Sequence, residues 1–151
     1  MESTNKAVID KFDGEYAFLS NFFNSPITVG GLLCPTVEHA FQLCKTLSRE
    51  ERLDIANSST PAIAKRKGRK ATLRPNWEDE KDDIMELCLQ KKFTEHLDLQ
   101  ERLLATGDAI LIEGNTWNDT YWGVCNGVGK NTLGQLLMKI REEIRKGLSN
   151  E

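Results

Sequence analysis

The chain has 151 residues and a mass of 17.1 kDa, with 39% hydrophobic and 28% charged side chains, which is typical of a globular domain and excludes collagen, a coiled coil and intrinsic disorder. The formal net charge of −3 argues against a protein that coats nucleic acid non-specifically, so any nucleotide contact is expected to be local. We predict a single domain across residues 1–151, with its core at about 12–145, because a chain of this length can bury about two thirds of its unfolded surface.

The N-terminus and the cysteines indicate a cytoplasmic protein. Segment 1–10 has neither the basic region nor the apolar stretch of a signal peptide, and no apolar run reaches the roughly 18–20 residues that span a membrane. The cysteines, Cys34, Cys44, Cys88 and Cys125, form no C-x-x-C pair, which is typical of reduced thiols. With only two histidines and no paired ligand spacing, the sequence predicts no metal and no cofactor.

Short strands and one helix are predicted in the first third of the chain. β-Branched and aromatic residues around the turn signal Asp13-Gly14 predict strands or a hairpin at 7–12 and 16–23. A second strand pair is predicted over 27–33, where two glycines interrupt the apolar pattern. Apolar residues at helical spacing then predict a half-buried helix over 36–47.

Helices dominate the middle of the chain. Three signals mark the boundaries of these helices. They are a Ser-x-x-Glu capping box, a Thr-Pro start, and a run with acids in its first turns and bases near its end. The predicted helices run over Arg49–Asn57, Pro61 to about Lys67, Trp77–His96 and Leu99–Ala105, with a loop over Arg69–Asn76.

The last third of the chain combines a strand, a loop and a helix. The sequence AILIE at 109–113 predicts a buried strand, and a run of glycine, asparagine and aromatic residues follows at 114–134. A helix from Asn131 or Thr132 to Lys146 carries one apolar face. About six helices with a few short strands and no βαβ alternation predict an α+β domain that is predominantly α-helical.

Three residues with complementary chemistry share one face of the helix predicted at 36–47. Glu38, Gln42 and Lys45 are spaced so that they lie together at about 3.6 residues per turn. A carboxylate and an amine so placed could shift each other's pKa and provide a general acid or base and a nucleophile. The alternative, which the spacing alone favours, is a solvated helix face with a weak charge pair.

The run Gly114–Gly123 surrounds one acid with three aromatic residues. Trp117 and Trp122 could stack on a flat base, and Asp119 could serve as an acid, a base or an acceptor for a ribose hydroxyl. In the alternative, the loop folds back and buries its own aromatic side chains. The residues alone favour neither interpretation.

Five bases fall within the six residues Lys65–Lys70, and Arg74 and Trp77 follow them. In a net acidic protein, such a run could hold a phosphate; the alternative is a solvated basic turn that balances the acids of the next helix. Further on, Gly127–Thr132 lacks the spacing of a Walker A motif. Its backbone amides, which precede a helix, could still bind an anion.

Several short motifs occur in the order found in one known family. They are Phe18–Phe22 (FLSNF), Pro35–Gln42 (PTVEHAFQ) with Lys45, Gly68-Arg69, Leu73–Trp77 (LRPNW), Asp119 with Trp122-Gly123, and Asn131–Gly134 (NTLG). Together they resemble the YbiA-like, or NADAR, family over roughly residues 12–145.

This resemblance implies a mainly α-helical fold and an N-glycosidase that cleaves the bond between a ribose C1′ and a nitrogen. Similar family members act on phosphorylated ribosylamino-pyrimidine intermediates of riboflavin synthesis, and others remove ADP-ribose from guanine bases of nucleic acid. The expected partner is therefore a phosphorylated riboside or an ADP-ribosylated guanine, with local contact to DNA or RNA and none to a membrane.

The resemblance also implies roles for individual residues. Lys45 matches the lysine proposed to form a transient Schiff base with the opened sugar, and Glu38 matches the carboxylate beside it. Asp119 is carried over as the third catalytic residue. The residues carried over as substrate contacts are Ser20, Asn21, Arg69, Trp77, Trp122 and Gly123.

A mechanism without a metal follows from these roles. A carboxylate, Glu38 or Asp119, protonates the departing nitrogen or the ring oxygen, neutral Lys45 attacks C1′, and water hydrolyses the imine. The alternative function is a non-catalytic module that binds NAD or ADP-ribose in the same pocket. An acid and an amine on one helix face count against that alternative, because a binding module needs neither.

Overall fold

A computed structural model describes residues 6–149 of the chain. The helices are the 3₁₀ helix Gly14–Leu19 and α1 (Val37–Leu43), α2 (Arg49–Ala56), α3 (Pro61–Lys70), α4 (Trp77–Glu95), α5 (Leu97–Ala105) and α6 (Thr132–Ser149). The strands are β1 (Val8–Ile9), β2 (Ile27–Val29), β3 (Leu32–Cys34), β4 (Ile110–Leu111), β5 (Gly114–Asn115) and β6 (Val124–Cys125). The predicted α+β class, predominantly α-helical with a few short strands, is confirmed.

The chain forms two compact units. The central unit is Asn21–Leu97, and the terminal unit joins the segments on either side of it. Helices α1 to α4 and the β2–β3 hairpin belong to the central unit, whereas the 3₁₀ helix, the other strands and α6 belong to the terminal unit. The expectation of a single domain over 1–151 stays a prediction.

Helix α1 forms the middle of the central unit. All of its residues are buried, including the polar Glu38, His39 and Gln42, because α2, α3, α4 and the β2–β3 hairpin all contact it. The prediction of a half-buried helix over 36–47 is therefore wrong in exposure and in length. The helix ends at Leu43 because the amides of Lys45 and Thr46 donate to carbonyls three residues back, which closes a tight turn.

Capping residues start the next two helices where the sequence predicts. Ser48 Oγ accepts from the Glu51 amide at 3.3 Å, and Thr60 Oγ1 accepts from the Ile63 amide at 3.1 Å. Helix α3 continues to Lys70, beyond its predicted end, so the loop predicted from residue 69 is wrong in its first residues. Gly68 lies inside this continuous helix and makes a close packing contact with the Gln42 side chain.

In the terminal unit, the strand predicted over 16–23 is wrong. The 3₁₀ helix Gly14–Leu19 takes its place; the Tyr16 amide donates to the Asp13 carbonyl at 2.9 Å to close its first turn. Phe18 and Leu19 are buried on this helix, so packing overrides the strand preference of its aromatic residues. The strand predicted at 7–12 is confirmed in part, because β1 pairs in parallel with β4.

The last helix begins at a predicted residue, Thr132. Helix α6 begins at Thr132 and buries Leu133, Leu137 and Ile140, and it contacts β4 within the terminal unit. Strands β5 and β6 pair in parallel and organise the loop that precedes α6. None of the helices in the described part of the chain is long and apolar enough to cross a membrane.

Candidate active site

Side-chain hydrogen bonds fix helix α1 at its start. Thr36 Oγ1 accepts from the His39 backbone amide at 3.1 Å and lies 2.8 Å from His39 Nδ1, while His39 Nε2 lies 2.9 Å from the Ser58 carbonyl oxygen. Because a carbonyl oxygen only accepts, Nε2 carries the proton and the Thr36 hydroxyl donates to Nδ1. His39 therefore holds α1 in the core through both ring nitrogens.

Glu38 is a buried carboxylate whose oxygens lie inside the central unit. Only 7% of the residue is exposed, and Gln42 Nε2 donates to its Oε2 at 2.5 Å. The Glu38 backbone amide donates to the Asn21 carbonyl at 3.0 Å. Burying a carboxylate costs free energy unless hydrogen bonds replace its water. The alternative of a solvated helix face is therefore wrong.

Lys45 lies just after α1 and is half-buried. Burial lowers the pKa of its ammonium below the ordinary 10.5, because the charged form loses hydrating water. The Glu38 carboxylate opposes this effect and raises the pKa, whereas the cations of Arg69, Lys65 and Lys81 lower it further. A lowered pKa gives a larger fraction of neutral amine near neutral pH, and the neutral amine is the nucleophile.

The basic run of α3 has two different sets of neighbours. Lys67 Nζ pairs with Asp54 Oδ1 of α2 at 2.9 Å. Arg74, which follows α3, pairs with an acid of α4 at 3.3 Å. Lys65 and Arg69 instead contribute to the electrostatic field at Lys45. Part of the run therefore stabilises the fold, and part of it adds positive charge beside the candidate nucleophile.

Two further predicted site residues of the central unit are buried. Trp77 is 5% exposed and packs on Phe41 of α1, with ring centroids 5.1 Å apart. Asn21 is 9% exposed; its Nδ2 faces Met85 Sδ at 3.5 Å, and its Oδ1 has no hydrogen-bond partner among the described residues. Trp77 supports α1 by packing, whereas Asn21 offers a buried acceptor.

Asp119 organises the loop of the terminal unit. Its Oδ1 accepts from the amides of Tyr121 at 3.2 Å and Trp122 at 2.9 Å, and its own amide donates to Asn115 Oδ1 at 3.1 Å. An aspartate that accepts from amides two and three residues on stabilises a turn. The loop conformation therefore depends on this carboxylate.

The aromatic residues of this loop differ in exposure. Trp117 is 59% exposed, while Tyr121 and Trp122 are half-buried and contact each other edge to face at 4.9 Å. Gly123 is buried, and a Cβ at this position would overlap Glu113. The alternative in which the loop buries all of its aromatic side chains is wrong for Trp117.

Four backbone amides of the anion site expected ahead of α6 are not free. The amides of residues 130–133 donate to loop carbonyls, namely Lys130 to Thr120, Asn131 to Gly123, Thr132 to Tyr121 and Leu133 to Trp122. For these four residues the expectation is therefore wrong, because their amides already hold the loop against the start of the helix; for the glycine amides at 127 and 129 it stays a prediction.

The predicted site residues divide between the two units. Asn21, Glu38, Lys45, Arg69 and Trp77 lie in the central unit, and Ser20, Asp119, Trp122 and Gly123 lie in the terminal unit. Within the central unit, the structure brings Glu38, Lys45 and the charge of Arg69 together. Ser20 ends the 3₁₀ helix, where its amide donates to Ala17 at 2.9 Å.

Sequence reasoning did not assign a site role to two residues that contact or influence Gln42 and Lys45. Lys81 of α4 lowers the pKa of Lys45, and no local spacing could reveal this, since the two are far apart along the chain. Gly68 packs against the Gln42 side chain; the signal was a glycine within an otherwise helical pattern. Across residues 6–149, no group of three or more His, Cys, Asp or Glu side chains could hold a metal ion.

The NADAR domain model matches residues 9–145. The chain belongs to the NADAR family. N-glycosidase YbiA of Shigella flexneri serotype 5b is 46% identical over an alignment of 133 positions that covers 86% of this chain and 82% of that protein. A riboflavin biosynthesis protein of Vibrio vulnificus is 33% identical, over 89% of this chain and 37% of that protein. The NMR structure of the Escherichia coli protein YbiA matches with a TM-score of 0.88 and 39% identity, covering 99% of this NADAR chain and 91% of that one.

Proposed function

We propose that this NADAR-family N-glycosidase cleaves the bond between a ribose C1′ and a nitrogen through a Schiff base on Lys45. The observation that supports this most is a half-buried amine of lowered pKa that is subject to the charge of a buried, hydrogen-bonded carboxylate. Perturbed ionisable groups of complementary chemistry are typical of catalytic sites. The alternative, a module that only binds NAD or ADP-ribose, needs no such amine.

The proposed reaction balances with these groups and one water. Neutral Lys45 Nζ bonds to C1′ as the C1′–N bond breaks, and a carboxylic acid, Glu38 or Asp119, gives its proton to the departing nitrogen. The ring C1′–O bond then opens as its oxygen takes a proton from the new ammonium, which leaves a protonated imine. Water adds to C1′ and releases the sugar, and the lysine returns its extra proton to the carboxylate.

Two substrate classes fit the proposal. One relative is named a riboflavin biosynthesis protein, which supports a phosphorylated ribosylamino-pyrimidine, and Lys65 and Arg69 add positive charge that suits a phosphate. An ADP-ribosylated guanine in DNA or RNA presents the same bond. For that substrate, the net charge of −3 favours one flipped-out nucleotide over binding along a groove.

The other carried-over residues belong to the same proposal as substrate contacts. They are Ser20, Asn21, Trp77, Trp122 and Gly123. Asn21 has the strongest support among them, because its buried Oδ1 lacks a donor within the described residues. The four cysteines are all free and buried, which supports the expected cytoplasmic location, where thiols stay reduced.

A substrate panel followed by mass spectrometry tests the activity. The panel contains a ribosylamino-pyrimidine phosphate, DNA with ADP-ribosylated guanine, ADP-ribose and NAD. We expect repeated release of base and sugar from one of the first two, abolished in Lys45→Ala and retained in Lys146→Ala, which changes an exposed lysine of α6. Binding of NAD or ADP-ribose with no product from any substrate would overturn the proposal in favour of the binding module.

A further inference from the structure

Gln42 joins the Glu38 carboxylate to helix α3. It lies one turn after Glu38 on α1, is 4% exposed, and donates through Nε2 to Glu38 Oε2 at 2.5 Å. On its other side, the same amide packs against Gly68 of α3. The amide group is therefore enclosed between a candidate catalytic carboxylate and the backbone of a neighbouring helix.

The chemistry of the carboxylate determines which way this amide faces. An ionised carboxylate has only acceptors, so the Gln42 NH₂ group must face it and the amide oxygen must face away. That oxygen, Oε1, is buried and has no donor among the described residues. A buried acceptor without a partner destabilises a fold, so packing alone would favour an apolar side chain here, and the donation to Glu38 accounts for the amide.

Gly68 leaves the room that this amide needs. A Cβ at position 68 would overlap Gln42 Oε1 and Cδ. The glycine lies inside α3, where no left-handed backbone angle requires it, and alanine would favour the helix more. The close approach of the Gln42 side chain therefore explains why this helical position lacks a side chain.

We propose that Gln42 is a positioning residue whose amide keeps the Glu38 carboxylate ionised and oriented, and that Gly68 keeps the amide in place. This inference rests on the proposed function, in which Glu38 moves a proton during cleavage. An ionised Glu38 can take a proton from the Lys45 ammonium and pass it to the departing nitrogen. Without the donated hydrogen bond, the carboxylate binds its proton more tightly and releases it less readily.

Gln42→Met separates positioning from packing. Methionine keeps the length and most of the volume but donates no hydrogen bond. We expect kcat to fall about 10- to 100-fold, the size of effect found when a hydrogen bond that orients a metal ligand is removed. KM should change little, and the carboxylate limb of the pH profile should move to higher pH. The melting temperature should fall only slightly, because loss of the unpartnered Oε1 offsets part of the cost of leaving the buried Glu38 carboxylate without its donor.

Helix α4 offers a matched control with the same pair of residue types. Gln90 Nε2 donates to Glu86 Oε2 one turn earlier at 3.4 Å, so Gln90→Met removes an equivalent bond elsewhere. We expect this variant to keep the wild-type kcat and pH profile. Gly68→Ala should lower kcat by displacing the amide, and its effect should shrink in the Gln42→Met background, because flexible methionine lacks the displaced group.

An activity-independent measurement separates failure of this inference from failure of the proposed function. Carbon-13 NMR of labelled glutamate, with Glu38 assigned from Glu38→Gln, follows the titration of this carboxylate in the wild type and in Gln42→Met. We expect a higher titration midpoint in Gln42→Met. An unchanged midpoint, or an active wild type whose pH profile matches that of Gln42→Met, would overturn the inference. An inactive wild type with a shifted midpoint would overturn only the proposed function.

Discussion

The two candidate catalytic carboxylates are held in opposite ways. Glu38 lies on a buried helix and accepts from the side chain of Gln42, whereas Asp119 lies in a loop and accepts from two backbone amides. A side-chain donor can change the proton affinity and orientation of a carboxylate without changing the backbone. A carboxylate that accepts from backbone amides also stabilises the conformation of the loop. Substitutions at Glu38 therefore report on chemistry, and substitutions at Asp119 report on chemistry and loop structure together.

The largest expected effect is the loss of activity in Glu38→Gln. The amide keeps the size of the side chain but cannot transfer the proton, so we expect kcat to fall about 10²- to 10⁴-fold. The melting temperature should be retained, because a buried charge is replaced by a neutral isostere. Steady-state kinetics of Glu38→Gln and Asp119→Asn, measured side by side, compare the contributions of the two carboxylates to kcat. Wild-type kcat in Glu38→Gln would show that Asp119 alone moves the proton.

Burial in the central unit also changes the ionisation of Lys92. This lysine is fully buried, and burial lowers its pKa from 10.5 to about 7. Between pH 7 and pH 10.5, Lys92 binds a proton in the unfolded chain but not in the folded chain. The free energy of unfolding therefore rises with pH, by at most about 1.4 kcal/mol per pH unit. Urea unfolding at several pH values should show this rise in the wild type and a flatter dependence in Lys92→Met. Equal slopes in the two proteins would contradict the account of this lysine.

Truncation of Asp119 should destabilise the loop that it organises. Asp119→Ala removes the acceptor for the amides of Tyr121 and Trp122, and two lost hydrogen bonds correspond to about 1–3 kcal/mol of unfolding free energy. Asp119→Asn keeps a side-chain oxygen in the same place and should retain most of the stability. Denaturant unfolding compares the two variants. If Asp119→Ala is as stable as Asp119→Asn, the hydrogen bonds do not hold the loop.

The smallest expected effect concerns the charges around Lys45. Arg69 lowers the pKa of the Lys45 ammonium, so Arg69→Gln should raise it and move the rising limb of kcat with pH to higher pH. The shift should be a few tenths of a unit, because Arg69 is exposed and solvent screens its charge. Lys67→Gln is the control, since Lys67 lies on the same helix as Arg69 but pairs with Asp54 of α2. Identical shifts in both variants would point to general surface charge.

Local signals in the sequence predicted the starts of the helices better than their ends. Ser48 and Thr60 cap their helices as predicted, because a cap is a contact between near neighbours in the chain. The continuation of α3 depends on a contact between elements, the close packing of Gly68 against Gln42, which spacing alone does not show. The 3₁₀ helix at Gly14–Leu19 replaces a predicted strand for the same reason.

The sequence predicted which residues form the candidate site, but not how deeply they are buried or which charges surround them. Helical spacing placed Glu38 near Lys45, and the structure confirms that their charges interact. Spacing could not show that Glu38 is buried or that Lys81 acts on Lys45, because both facts depend on how α4 packs against α1. The motif order identified the family correctly, as the match of the NADAR domain model to residues 9–145 shows.

Borohydride trapping shows directly whether a Schiff base forms on Lys45. The protein is incubated with borohydride and the riboside substrate that it cleaves, then digested and analysed by mass spectrometry. A Schiff base on Lys45 would be reduced to a stable amine, so we expect one sugar adduct on the peptide that contains Lys45, and none in Lys45→Ala. Full turnover by Lys45→Ala, with no adduct on the wild-type protein, would contradict the account.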